Sequence, residues 1–171
     1  MLVASGSSGT SYLDNHGAGH FAVRPGTPGP GSLSGIPGVA IGDVNGDGYA
    51  DAVRANGSAN SITVYHGSPA GPLAGSRVDY ATFPGGYPTP DALAIADVNG
   101  NGRLDVVAVG RFPGEVSTFL NDGVGGLGTA IVSPISGPPA TNWDPRAVAV
   151  ADFNGDGKLH RRHAAGKRRH G

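Results

Sequence analysis

One acidic, glycine-rich segment occurs three times in this 171-residue chain at nearly equal spacing. The copies begin at Asp43, Asp97 and Asp152, so the steps between them are 54 and 55 residues. Each copy follows a short apolar run, and the first reads VAIG, DVNGDGYA and DAV from residue 39 to residue 53. A period of this length predicts a repeat architecture in which each repeat is one supersecondary unit.

Each repeat also contains further short runs that are typical of β-strands. SITVY begins at Ser61 and VSTFL at Val116, and looser runs follow at 77–83 and 129–133. Gly-rich turns separate these runs, which predicts four short strands per repeat. We therefore predict an all-β chain of propeller-type four-stranded blades. Closed propellers have about 4–8 blades, so about three blades' worth of sequence predicts an incomplete propeller.

The repeat divides the chain into five predicted units. Residues 1–35 are a partial blade, with strands two to four, and a linker. Residues 36–90 are a blade that contains the first loop, and residues 91–146 are a blade that contains the second loop. Residues 147–160 are the start of a further blade with a degenerate loop, and residues 161–171 are a basic, disordered tail. The repeat stops after Leu159, which favours a piece of a larger propeller or a truncated or frame-shifted gene product.

Composition and charge exclude several other classes of protein. The chain has no Cys, so it has no disulfide framework and no Cys-ligated zinc. Residues 1–157 contain all 13 acidic residues and six of the 12 Lys and Arg residues, and residues 158–171 contain the other six. Twelve of the acids are Asp, which favours turns over helices. The basic tail has no aromatic residue for stacking, so no nucleic-acid partner is expected.

The repeated segment defines three loops that carry oxygen-bearing side chains at alternate positions, which we call loop 1 (43–51), loop 2 (97–105) and loop 3 (152–160). Ca²⁺ prefers about six to eight oxygen ligands, which a loop of this kind can supply. The candidate ligands are Asp43, Asn45, Asp47, the carbonyl of Tyr49 and Asp51 in loop 1, Asp97, Asn99, Asn101, the carbonyl of Arg103 and Asp105 in loop 2, and Asp152, Asn154 and Asp156 in loop 3.

Alternatives to calcium remain at the level of sequence. Asp-Asn-Gly loops also form turns by hydrogen-bonding to their own backbone, without a metal. An EF-hand shares the opening of the motif but requires flanking helices and a Glu at position twelve, where these loops have Arg54 and Ala108. His160 replaces the closing Asp of loop 3, and imidazole suits zinc or copper rather than calcium. Loop 1 offers three carboxylates, loop 2 two, and loop 3 two without the closing Asp, which predicts that calcium affinity decreases in that order.

These loop motifs resemble the FG-GAP/VCBS repeat family, the calcium-loop propeller blades of integrin α-subunit heads and of many secreted bacterial proteins. The resemblance implies a β-propeller with Ca²⁺ held between the first two strands of a blade. It also implies an extracellular or cell-surface setting, and adhesion or binding of a protein or glycan ligand rather than catalysis. No export signal is recognisable in the sequence, so the extracellular setting depends on the resemblance.

The main competing interpretation is a carbohydrate-binding or enzyme-associated propeller of a secreted hydrolase or lyase. No nucleophile elbow, Walker A loop or metalloprotease helix motif occurs in the chain, so no enzyme is predicted. Four aromatic residues are candidates for stacking on a sugar, namely Tyr65, Tyr87, Phe119 and Trp143. Packing in the core or between blades is the other role open to them.

Overall fold

The computed structural model of the protein describes part of the chain. Before residue 38 and after residue 159 it describes the backbone of the strands but not their side chains. The described residues are 2–5, 9–15, 21–24, 38–70, 73, 75–83, 89–111, 114–121, 123, 126–135 and 144–165. In this part of the chain the structure is all-β, apart from a single 3₁₀ turn at Gly57–Ala59. None of the described segments forms a helix of the length and hydropathy needed to cross a membrane.

Two four-stranded antiparallel sheets form the centre of the molecule. Sheet 2 has the order β4-β5-β6-β7, with β4 (Val39–Gly42), β5 (Asp51–Asn56), β6 (Ser61–Tyr65) and β7 (Arg77–Ala81). Sheet 3 has the order β8-β9-β10-β11, with β8 (Thr89–Ala96), β9 (Asp105–Arg111), β10 (Glu115–Phe119) and β11 (Ile131–Pro134). Each sheet is one sequence repeat, which confirms the predicted four-stranded blades.

Two smaller antiparallel sheets precede and follow this pair. Sheet 1 has the order β1-β2-β3, with β1 (Leu2–Ser5), β2 (Gly9–Asn15) and β3 (Phe21–Arg24). Sheet 4 consists of β12 (Pro145–Ala151) and β13 (His160–Ala165). The described residues thus form an incomplete set of propeller blades, as the repeat pattern predicts.

Strand β9 is buried on both faces, and the alternation of its side chains assigns each face to a different neighbouring sheet. Val106 and Ala108 belong to the core shared with sheet 2, whereas Val107 and Val109 belong to a second core that includes valines of β12. Because successive side chains of a strand point to opposite faces, a strand buried on both sides must be apolar at every position. This requirement explains the unbroken VVAV of β9.

The cores between neighbouring sheets are small and consist mainly of valine. The core between sheets 2 and 3 comprises Val44, Val53, Ile62, Val64, Val106, Ala108, Phe119 and Leu127. The core between sheets 3 and 4 comprises Val107, Val109, Val116 and Ile135, with Ala92, Val98, Val148 and Val150 packed against it. Branched side chains suit this packing because they fill the surface of a pleated sheet well.

Just before β4, the backbone at Gly38 approaches β8 of sheet 3 so closely that a side chain at residue 38 would not fit. The backbone N–H of Gly38 donates to the carbonyl of Asp91 at 2.7 Å, and a Cβ at Gly38 would lie 2.8 Å from the Cα of Ala92. A Cβ at Gly42 would lie 3.0 Å from the Cδ1 of Leu104. Glycine is therefore required at residue 38, just before β4, whereas a Cβ at residue 42 would need only a small shift of the flexible Leu104 side chain.

A charged network joins sheets 3 and 4 at the end opposite to the loops. Arg111 Nε lies 2.9 Å from Asp91 Oδ2 and 3.5 Å from Asp144 Oδ1, and Arg146 pairs with Asp144 at 2.7 Å. Asp91 and Arg146 are each the extra residue of an irregularity in β8 and β12. Bulges re-aim side chains, and here they bring the two residues into the network. Burial raises the pKa of the Asp91 carboxyl.

The structure differs from the sequence analysis just after the third loop. Residues 161–171 were predicted to be a disordered tail, but residues 160–165 form β13, paired antiparallel with β12 from Ala151↔His160 onward. The physical reason is that loop 3 reverses the chain beside β12, where backbone hydrogen bonds form whatever the side chains are. The rest of that predicted tail, 166–171, lies outside the described residues.

Candidate metal centre

The three loops occupy the same place in three successive sheets. Loop 1 connects β4 to β5, loop 2 connects β8 to β9, and loop 3 connects β12 to β13. Strands border all three, which excludes the EF-hand alternative because an EF-hand loop lies between two helices. The repeat therefore brings its acidic residues to one end of the stacked sheets.

The loops share one backbone conformation that depends on glycine. Gly46 and Gly48 of loop 1 have φ values of 76° and 86°, and Gly100 and Gly102 of loop 2 have 77° and 81°. In loop 3 the corresponding values are 74° and 78°. A side chain at a positive φ of this size is strained, so two glycines per loop are needed to turn the N–H groups inward.

The leading aspartate of each loop accepts those inward N–H groups. Asp43 Oδ1 accepts from Gly46 at 2.7 Å and from Asp47 at 3.1 Å, and Asp43 Oδ2 accepts from Gly48 at 2.8 Å. Asp97 accepts the equivalent three N–H groups of loop 2 at 2.7–3.0 Å. Asp152 does the same in loop 3 at 2.7–3.2 Å. The negative charge of each carboxylate is thus held by backbone dipoles.

The side chains at the third and fifth positions also bond to the loop backbone. In loop 1, Asn45 Oδ1 accepts from the N–H of Asp47 at 3.0 Å, and Asp47 Oδ1 accepts from the N–H of Tyr49 at 2.8 Å. The side-chain amide of Asn45 donates to Asp47 Oδ2 at 2.9 Å. These side chains are exposed, so their oxygens are accessible from solvent.

Loop 2 departs from loop 1 at its fifth position. Asn101 replaces the aspartate, and its Nδ2 donates to the carbonyl of Asn121 at 3.0 Å. Its Oδ1 still accepts from the N–H of Arg103 at 2.9 Å. Loop 2 therefore has one fewer carboxylate than loop 1, and it makes one more contact outside the loop.

The closing aspartates behave differently from the other candidate ligands, because they are completely buried. Asp51 Oδ2 accepts from the N–H groups of Val44 at 2.8 Å and Asn45 at 3.2 Å, and Asp51 Oδ1 accepts from Gly67 at 2.8 Å. Asp105 is held in the same way, by the N–H of Val98 at 2.9 Å and that of Asn121 at 2.8 Å. Each closing aspartate is thus hydrogen-bonded to a residue just after the third strand of its sheet, which is β6 for Asp51 and β10 for Asp105.

Whether these residues fit a cation depends on the chemistry of the donors. Carbonyl, carboxamide and carboxylate oxygens are the ligands that hard cations take, and these are the candidate ligands in loops 1 and 2. No three acidic or imidazole side chains converge on a point among the described residues. A carboxylate oxygen that accepts one N–H, such as Asp43 Oδ2 or Asp47 Oδ1, retains a second lone pair, whereas Asp43 Oδ1 and Asp51 Oδ2 each accept two N–H groups. The donors of loops 1 and 2 therefore fit a calcium ion in type, and the hydrogen bonds have already ordered them.

Two residues outside the loop motifs belong to this centre, although the repeated motif does not include them. His66 Nδ1 lies 3.4 Å from Asp51 Oδ1. Asn121 bonds to Asp105 through its backbone and to Asn101 through its carbonyl. A signal for Asn121 was present in the repeat, since it occupies the position equivalent to Gly67 in the preceding blade. The repeat position of Asn121 becomes informative only once the structure shows that the residues after β10 contact loop 2.

The aromatic residues considered for stacking on a sugar divide into two pairs. Phe119 is completely buried, and Tyr65 is 2% exposed. Phe119 contacts the ring of Tyr80 edge to face, with 6.1 Å between the ring centroids. Both residues are therefore core residues. Tyr87 and Trp143 lie outside the described residues.

The loop hydrogen bonds predict a specific response to acid. The N–H of Tyr49 lowers the pKa of Asp47, and the N–H of Gly157 lowers the pKa of Asp152, both from the ordinary value of 3.8. A depressed folded-state pKa stabilises the loop above 3.8, and this stability is lost as pH falls through the folded pKa. We expect the amide resonances of Tyr49 and Gly157 to titrate with midpoints below 3.8 in NMR spectra. A midpoint at or above that value would contradict these hydrogen bonds.

The sequence of the chain matches one known family of repeats. A family model described as FG-GAP-like repeat matches the chain twice, at residues 43–108 and 97–159. Together the matches extend over more than half of the 171 residues, and each begins at the leading aspartate of a loop. Each match therefore spans one full period of the repeat. Comparisons with curated proteins and with solved structures gave no match.

Proposed function

This chain belongs to the FG-GAP-like repeat family, and we propose that it is a calcium-stabilised repeat module that binds a ligand outside the cell and catalyses no reaction. The loop motif predicted this family, and the match confirms it. FG-GAP repeats are generally non-catalytic, propeller-type modules and are typical of extracellular or surface proteins. The family thus supports a binding module, and the loops support the finer proposal of calcium.

The recurrence of one preorganised loop carries the calcium proposal. Three loops of different sequence adopt the same two-glycine conformation and place oxygen-bearing side chains at the same positions. A turn that only had to reverse the chain would not need this many carboxylates at one end of the sheets. Concentrated negative charge destabilises a compact state unless it is compensated, and a bound divalent cation compensates it.

In this proposal each loop would hold its ion with its own oxygens. In loop 1 these would be Asp43, Asn45, Asp47 and the carbonyl of Tyr49, together with the buried Asp51. In loop 2 they would be Asp97, Asn99, Asn101 and the carbonyl of Arg103, together with the buried Asp105. In loop 3 they would be Asp152, Asn154 and Asp156. The bound ion would neutralise the carboxylates and couple calcium binding to folding. The protein or glycan ligand would then bind to a scaffold whose blades are kept in place by the ions.

Calcium should raise the thermal stability of the protein. A calcium concentration of 100 times the Kd stabilises the folded state by about 2.7 kcal/mol per site, so the melting temperature should be higher in calcium than in EDTA. Asp47→Asn removes one carboxylate from loop 1 and should weaken its calcium binding about tenfold, measured by isothermal titration calorimetry. Asp79→Asn removes an exposed carboxylate of β7 outside the loops and is the matched control.

The same measurements can contradict the proposal. Equal melting temperatures in calcium and in EDTA, together with no heat of binding, would exclude calcium as a ligand. An equal loss of affinity in Asp47→Asn and Asp79→Asn would show that general charge, and not the loop, determines binding. Magnesium should stabilise the protein less than calcium, because it requires stricter octahedral geometry and loses its water reluctantly.

A further inference from the structure

Asn121 is a buried polar residue that lies between two of the loops. It lies two residues after the end of β10 and is 4% exposed. Its N–H donates to Asp105 Oδ1 at 2.8 Å, its carbonyl accepts from Asn101 Nδ2 at 3.0 Å, and its Oδ1 accepts from the N–H of Gly123 at 2.9 Å. The backbone of Asn121 is therefore bonded to two side chains of loop 2.

The side-chain amide of the same residue extends to the neighbouring sheet. Asn121 Nδ2 donates a hydrogen bond to the carbonyl of Val44 in loop 1 and a second one to the carbonyl of Leu104 in loop 2, at 3.2 Å. Val44 is 2% exposed, and its own N–H donates to Asp51. A continuous series of buried hydrogen bonds thus runs from the closing aspartate of loop 1 to the closing aspartate of loop 2.

The repeat does not provide this bridge at the preceding blade. The position equivalent to Asn121 in sheet 2 is Gly67, which has no side chain to extend toward another loop. A Cβ at Gly67 would lie 2.4 Å from the carbonyl oxygen of Ala50, so a side chain there would require the backbone to move. Of the two complete blades described, one has a side-chain bridge and the other cannot have it.

We propose that Asn121 couples loop 1 and loop 2, so that calcium bound in one loop raises the calcium affinity of the other. This inference rests on the proposed function, and it assigns Asn121 as a positioning residue that touches no ion. The buried hydrogen bonds of Asn121 join the backbone of Val44 in loop 1 to Asp105 of loop 2, so an ion that fixes the position of one loop also fixes the hydrogen-bond partners of the other. The coupling is reciprocal, because each loop changes the affinity of the other by the same factor.

The experiment measures calcium binding at each loop separately by NMR. The amides of Gly46 and Gly48 report on loop 1, and those of Gly100 and Gly102 report on loop 2. Loop 1 is disabled by combining D43N with D47N, which keeps the shape of both side chains. The calcium midpoint of loop 2 should then rise about fivefold or more, the lower end of typical couplings between sites.

Two comparisons separate the bridge from other causes. D152N with D156N removes the same charge from loop 3, on the other side of loop 2, and should leave the midpoint of loop 2 within about twofold, because the hydrogen bonds of the Asn121 side chain join loop 2 to loop 1. Asn121→Asp keeps the acceptor for Gly123 but cannot donate to Val44. In this variant, disabling loop 1 should no longer change the midpoint of loop 2.

Each possible outcome has a distinct meaning. If calcium moves no loop glycine resonance in the native chain, both the proposed function and the coupling are wrong. If calcium binds both loops but disabling loop 1 leaves loop 2 unchanged, the coupling is wrong and the proposed function stands. If the coupling persists unchanged in Asn121→Asp, another route carries it and Asn121 is not the bridge. If that variant does not fold, the native chain and the two pairs of loop variants still decide whether loop 1 affects loop 2.

Discussion

Replacing Asp51 with alanine should lower the free energy of unfolding by about 3–5 kcal/mol, even when calcium is absent. The side chain is completely buried, and its two oxygens accept the N–H groups of Val44, Asn45 and Gly67. A buried donor that loses its acceptor costs about 1–3 kcal/mol, and the Val44 and Gly67 hydrogen bonds are both buried. The motif alone gives Asp51 the role of an ion ligand, whereas the contacts give it a structural role as well.

Urea denaturation in EDTA and in calcium separates these two roles. Asp51→Ala should be strongly destabilised in both buffers. Asp47→Ala should change stability mainly in calcium, because Asp47 is exposed and the two hydrogen bonds that its side chain accepts lie within loop 1. Asp51→Asn retains one acceptor oxygen and should lose less stability than Asp51→Ala. A destabilisation of Asp51→Ala that is present only in calcium would show that Asp51 acts through the ion alone.

Replacing Phe119 with alanine should also cost about 3–5 kcal/mol of unfolding free energy. Phe119 is completely buried in the core between sheets 2 and 3, and its ring contacts Tyr80 of β7 at an interplanar angle of 67°. The cavity would open between two sheets, where the valine-rich core is small, so the substitution removes a large share of the apolar contact between blades.

A surface residue of the same sheet provides the control for this prediction. Ile131→Ala in β11 removes an aliphatic side chain that is 52% exposed, and it should change stability by less than about 1 kcal/mol. Both variants are measured by urea denaturation monitored by circular dichroism. A loss below about 1 kcal/mol in Phe119→Ala would show that the contact between sheets 2 and 3 contributes little to folding.

Several features of this protein follow from the amino-acid sequence alone. The 54- and 55-residue steps between leading aspartates indicate the repeat, and alternating apolar runs between Gly-rich turns indicate four short strands in each. Both are local patterns, because side-chain alternation and turn chemistry are properties of a few neighbouring residues. The positive-φ glycines, such as Gly46 and Gly48, were predictable for the same reason.

The end of the chain shows where local patterns stop being informative. The run of basic residues after Leu159 breaks the repeat and indicates a disordered tail, yet 160–165 form β13 beside β12. The pairing depends on backbone groups that a preceding loop brings together, and side-chain composition does not report on it.

The sequence by itself determined which residues form the loops, and it predicts calcium as the ion that their oxygens would hold. Only the tertiary structure decided that Asp51 and Asp105 are buried acceptors of backbone N–H groups, and that Asn121 joins loop 1 to loop 2. Asn121 and Val44 are 77 residues apart, and an asparagine after a strand is ordinary in any sequence. Its role arises because stacked sheets bring distant loop ends into contact, where a buried amide must find partners.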